Sequence, residues 1–88
     1  MMIEYGMAIE RDANNMIVFG KECYLNEHCI FNVDVSTNPW NIEKRGNLDG
    51  TRMYYIPMRY EGCVILMNML QSQIIAYNYT TNQVNRII

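Results

Sequence analysis

Charge is scarce in this chain. Only 18% of its 88 residues are Asp, Glu, Lys or Arg, against about 25% in an average soluble domain. Lysine occurs only at Lys21 and Lys44. Seven basic side chains against nine acidic ones leave a net charge of −2. No broad positive field is available to release counterions from a nucleic acid, and the acidic excess is too small to imitate one. Nucleic acid is therefore not an expected partner.

Other absences narrow the chemistry further. His28 is the sole histidine, so proton transfer near neutral pH has one ordinary candidate. No segment approaches the ~18 uninterrupted apolar residues of a membrane helix. The opening Met-Met-Ile-Glu-Tyr-Gly-Met has no basic stretch leading into an apolar run, so no secretory leader is read and a cytoplasmic location is expected. The five glycines are isolated, which excludes a Gly-rich phosphate loop. Cys23, Cys29 and Cys63 are odd in number and form no Cys-x2-Cys pair, the pattern of ordinary thiols rather than of a disulfide framework. Cys23, His28 and Cys29 carry good zinc-binding groups, but their spacing is poor and adjacent strand residues diverge. No metal and no cofactor is expected. The Asn78-Tyr79-Thr80 sequon has meaning only in a secreted protein.

What is present is apolar and amide-rich. Half the residues are hydrophobic, eight are Met, and Asn recurs at eleven positions. Such a surface relies on hydrogen bonds and adaptable apolar contact more than on charge, a composition suited to an assembling or partner-binding protein. A chain of this length buries only roughly 60 to 65% of its unfolded surface and gains from oligomerisation. A single compact β domain spanning 1–88 is expected.

The periodicity of the chain is two. Ile3, Tyr5, Met7 and Ile9 alternate with Glu4, Gly6, Ala8 and Glu10, as in a half-buried strand. Asp12-Ala13-Asn14-Asn15 breaks it and turns the chain back into a second strand over 16–25. In the next run, Cys29 to Val35, Phe31, Val33 and Val35 face inward while Asn32 and Asp34 face outward. Ser36-Thr37-Asn38-Pro39-Trp40-Asn41 is a loop by composition, and 42–48 is either a short strand or the rest of that loop. Asp49-Gly50 is a hairpin signal. It launches a strand over 51–60 that Pro57 confines to an edge, a bulge or a strand end. Glu61-Gly62 is the next turn. Cys63 to Leu70 is apolar at both parities and reads as a strand buried on both sides. Ile74 to Tyr79, a turn at 80–83, and Val84 to Ile88 close the chain as strand, turn, strand.

The expected fold is thus all-β, a small antiparallel barrel or sandwich of about six or seven short strands. The alternative is an α+β fold with a helix at about 63–77. Ile74, Tyr77, Asn78, Thr81 and Val84 form a pattern that resembles a hairpin common in β-propeller blades, and the resemblance implies a hairpin here. No longer internal repeat is evident.

Candidate functional residues cluster in Thr51-Arg52-Met53-Tyr54-Tyr55-Ile56-Pro57-Met58-Arg59-Tyr60. A guanidinium fork binds phosphate or carboxylate bidentately, and a neighbouring phenol stacks on a ring. Arg52, Tyr54, Tyr55, Arg59 and Tyr60 are accordingly candidate binding residues, although Arg52 and Arg59 point to opposite faces of a regular strand. Trp40 in the longest loop is a candidate anchor, with Arg45 on its polar rim. The acids are scattered, and a Cys-His pair would still need an orienting group and an oxyanion hole; no catalytic site is expected. These residues point to a non-catalytic protein acting through macromolecular contacts, with a protein partner and a homo-oligomeric state. A small inhibitor of the type that viruses or phages direct at a host enzyme or defence complex has this character and would act in the host cytoplasm. The alternative is an oligomeric protein that binds or sequesters a nucleotide or another anionic small molecule.

Overall fold

The computed structural model describes residues 3–22, 28–48, 55–68 and 72–87. Eight strands follow one another: β1 Ile3–Glu10, β2 Asn15–Glu22, β3 His28–Asp34, β4 Asn41–Leu48, β5 Tyr55–Tyr60, β6 Cys63–Asn68, β7 Gln73–Asn78 and β8 Gln83–Arg86. The chain is all-β, with eight strands among the described residues where six or seven are expected from sequence. The additional one is β4, whose Gly46-Asn47 hides the alternation. No helix occurs among the described residues; 63–68 and 73–78 are strands.

The strands form two four-stranded antiparallel sheets, ordered β1-β2-β3-β4 and β5-β6-β7-β8. Contacts divide the chain into two compact units, Met1–Arg52 and Met53–Ile88. Each sheet is open, with two edge strands, so neither closes on itself as a barrel. β4 and β5 belong to different sheets, and the Asp49-Gly50 signal between them lies outside the described residues.

In the first unit, the Asp12 turn is built as its side chains dictate. Asp12 Oδ1 accepts from the Asn14 backbone N–H at 2.9 Å and from Asn15 Nδ2 at 3.0 Å. Asn32, outward on β3, extends the network: its Nδ2 donates to Asn15 Oδ1 at 2.9 Å and its Oδ1 accepts from Arg11 at 3.2 Å. β3 is central, and Cys29, Phe31 and Val33 are buried on one face while His28 and Ile30 are buried on the other. His28 is only 7% exposed. β4 carries a register shift between the partners of Ile30 and Phe31, Gly46 and Lys44, which leaves Arg45 as the extra residue of a bulge.

In the second unit, β5 is an edge strand, which accommodates Pro57 because one side of an edge strand has no ladder to lose. The β5–β6 turn has two residues, with φ of 45° at Glu61 and 78° at Gly62. Positive φ at both central positions is the requirement of a type I′ turn, whose twist matches that of the strands. Val64 and Leu66 of β6 are fully buried and pair with Tyr77 and Ile75 of β7, also buried, to form one apolar face. The β7–β8 turn is held by Asn78, whose Oδ1 accepts from the Thr80 and Thr81 N–H groups at 3.0 and 3.1 Å, and the Tyr77 hydroxyl donates to Asn82 Oδ1 at 2.8 Å. The hairpin implied by the propeller-like pattern is present.

The two units share two features of construction. Both units are four consecutive antiparallel strands. In both, the last turn opens with a residue whose Oδ1 accepts from the backbone N–H two residues on: Asp34 from Ser36 at 2.9 Å and Asn78 from Thr80 at 3.0 Å.

Candidate functional site

Trp40 stands immediately before β4 and is 58% exposed. Ile42, two residues on, is 38% exposed, the spacing at which extended backbone points side chains the same way. The preceding loop is tied down at several points. Asp34 Oδ1 accepts from the Ser36 hydroxyl at 2.6 Å as well as from its N–H, Thr37 Oγ1 donates to the Pro39 carbonyl at 3.0 Å, and the Val35 N–H donates to the Asn14 carbonyl at 2.8 Å. The Asn38-Pro39 peptide is cis. The hydrogen bonds of this loop leave the indole displayed on a braced segment beside an edge strand.

The electrostatics of this end are set by two carboxylates. Hydrogen bonds from the Ser36 side chain and then its backbone hold Asp34 below the ordinary 3.8, while exposure keeps the cost of desolvation small. Asp12 is lowered in the same way, first by the Asn15 amide and then by the Asn14 backbone. Arg45 Nη1 lies 3.6 Å from Glu43 Oε1, an ion pair on the same strand.

On β5, Tyr60 is 63% exposed, with Ile56 and Met58 each at 50%. These three alternate residues share a face, opposite Cys63, Met67 and Ile65 of β6. Arg59, also exposed, pairs with Val64 and so lies on the other face. Among the described residues Arg59 makes no ion pair with a carboxylate.

The expected binding residues are thus distributed as follows. Trp40 and Arg45 are in the first unit. Arg59 and Tyr60 are in the second, on opposite faces of one edge strand. Tyr55 begins β5, and nothing further is described of its side chain. Arg52 and Tyr54 lie outside the described residues, as does Cys23. Cys29 is buried, its Sγ donating to Asn47 Oδ1 at 3.4 Å, and Cys63 is part-exposed. Among the described residues no three His, Cys, Asp or Glu side chains converge as metal ligands, and no helix is long and apolar enough to cross a membrane.

One surface was missed in the sequence. Cys63 to Leu70 reads as buried on both sides, yet only the Val64 and Leu66 side is buried; Ile65 and Met67 are part-exposed, as are Ile74 and Ala76 beside them on β7. Together with Ile56, Met58 and Tyr60 they make one continuous, uncharged apolar face. The signal for it was present in the sequence: two successive strands apolar at both parities supply two apolar faces, whatever covers them.

Comparison with protein-family models, curated proteins and solved structures returns no match.

Proposed function

We propose that the protein acts without catalysis, by binding another protein through a contact surface centred on Trp40. What supports this reading is the exposure of a tryptophan on a braced segment. Leaving a large aromatic in water is unfavourable, whereas a Trp held ready at the rim of a sheet loses little further entropy when a partner covers it. Ile42 extends the apolar centre, and the Arg45–Glu43 pair lies on the same strand as a polar rim. A stoichiometric inhibitor of a host enzyme or defence complex, acting in the cytoplasm, is the particular form of this function that the composition suits.

The test is capture with immobilised wild-type protein and Trp40→Ala, identification of the retained protein, and calorimetry with that partner purified. Loss of a central anchor costs about 2 kcal/mol or more, so the variant is expected to bind at least ~30-fold more weakly. Undiminished binding by Trp40→Ala removes the proposed surface. A nucleotide or other anion that raises the melting temperature of wild type but not of Arg59→Ala would replace this reading with anion binding.

A further inference from the structure

We infer that the outer edge of β8 is a docking site for an extended segment of a partner protein, which joins the β5–β8 sheet as a fifth strand. The inference does not depend on Trp40, which belongs to the other unit.

Three observations carry it. The first is the backbone. The Ile87 N–H donates to the Ile74 carbonyl at 2.8 Å, and the register of β7 and β8 continues to Ala76 with Asn85 and Asn78 with Gln83. In an antiparallel ladder such hydrogen-bonded pairs alternate with pairs whose backbone groups point away from each other. Val84 and Arg86 therefore direct their N–H and C=O groups outward from β7. Among the described residues β8 ends the strand order, and all four of its residues are exposed. The partner with donors and acceptors at this ~7 Å repeat is another extended backbone.

The second is the lack of what closes the other edges. Bulges, prolines and charged side chains blunt the edges of sheets. β1 has a register shift between Glu4 and Met7, β4 bulges at Arg45 beside Glu43 and Lys44, and β5 carries Pro57 and Arg59. β8 has an unbroken register, no proline and a single charge, Arg86. With the Gln73 amide oxygen turned toward it, Arg86 donates from Nε at 2.9 Å and from Nη2 at 2.7 Å, so its guanidinium is held against β7. Only its shortness protects β8, and four residues limit affinity without closing the edge.

The third is the side chains. Val84 and Arg86, opposite Tyr77 and Ile75, lie on one face, and Gln83 and Asn85 lie on the other. Val84 is 41% exposed. The segment that fits is uncharged: a β-branched apolar residue beside Val84 alternates with hydroxyl or amide residues beside Gln83 and Asn85. A second copy of β8 fits less well. The antiparallel register that uses both outward residues sets Arg86 against Val84 across the contact, and four residues a side bury too little for a stable dimer.

Hydrogen exchange on the full chain, and selection from a displayed library of random nine-residue peptides, test the inference. In the free chain the Val84 and Arg86 amides are expected to exchange at least about tenfold faster than that of Asn85. Peptides retained by wild type are expected to alternate as described, to slow exchange at Val84 and Arg86 when bound, and to bind Val84→Pro at least about tenfold more weakly. Proline is tolerated where an edge N–H faces solvent, so this variant is expected to keep a β-type circular dichroism spectrum. If that spectrum is lost, Val84→Lys, which keeps every backbone group and removes the apolar contact, takes its place with the same expected weakening. Slow exchange at both amides in the free chain, a selection that retains nothing, or a retained pool in which the variant weakens no peptide overturns the inference. Protection that grows with chain concentration in the absence of peptide assigns the edge to a second copy and overturns it equally. Trp40→Ala is expected to leave binding of these peptides unchanged, so the two surfaces fail separately.

Discussion

Asp34 links the last strand of the first hairpin pair to the loop that presents Trp40, and it does so as a carboxylate. Its proton affinity is lowered in the folded chain by the two Ser36 hydrogen bonds. A depressed carboxyl stabilises the fold above its ordinary value of 3.8, and that contribution is lost as pH falls through the lower folded value. Urea unfolding of Asp34→Asn measured stepwise from neutral pH into this acid range is therefore expected to show a shallower acid decline than wild type. Superimposable declines would mean that Ser36 does not hold the carboxylate in solution. Such individual side-chain roles were only partly legible. Asn14 and Asn15 announced a turn, because short amides compete with the backbone for hydrogen bonds. The burial of His28 was not announced, since it depends on β3 lying inside the sheet between β2 and β4, which no local pattern encodes.

The strands themselves were the most readable feature, because alternation of side-chain polarity is a direct record of which face meets a core. Where that record blurs, the reading blurred too: Asn41–Leu48 has a bulge at Arg45 and a glycine beside it, and a bulge shifts the parity of everything beyond it. The Glu61-Gly62 turn was legible and is testable. A Cβ at Gly62 would meet no atom within 4 Å, so Gly62→Ala is penalised by its φ of 78° alone. The cost is about 1 kcal/mol, a fall in Tm of about 4 to 8 °C by calorimetry. Glu61→Asn, which tolerates positive φ better, is expected to move Tm the other way. The two sides of β6 differ as sharply. Leu66→Ala opens a cavity in a fully buried position and costs about 2 to 5 kcal/mol. Ile65→Ala, on the part-exposed side, costs about 1 kcal/mol. Equal losses at the two neighbours would mean that both faces are buried in the monomer.

For the molecule taken entire, the class was readable and the contact surfaces were not. Composition reports how much apolar surface exists, and parity reports on which side of a strand it lies, but neither reports which sides the chain itself covers. Trp40 could be singled out because a lone tryptophan in a loop is conspicuous. The Ile56–Met58–Tyr60 stripe was passed over because the same alternation describes a packed strand. The division into four strands followed by four strands was not marked by the turns: the first hairpin of the leading unit spends Arg11 to Asn14 on its connection, that of the second only Glu61 and Gly62.

That consecutive ordering has a kinetic consequence. Within each sheet every strand bonds to the neighbour next in line, so no described strand must wait for a remote one to be synthesised or to diffuse back. Loop-closure entropy is met in small instalments, each hairpin templating the next, and the search is short for an all-β topology. Stopped-flow refolding should accordingly be fast among all-β chains of this size, and the leading four strands are able to zip together on the ribosome while the trailing four are still being translated.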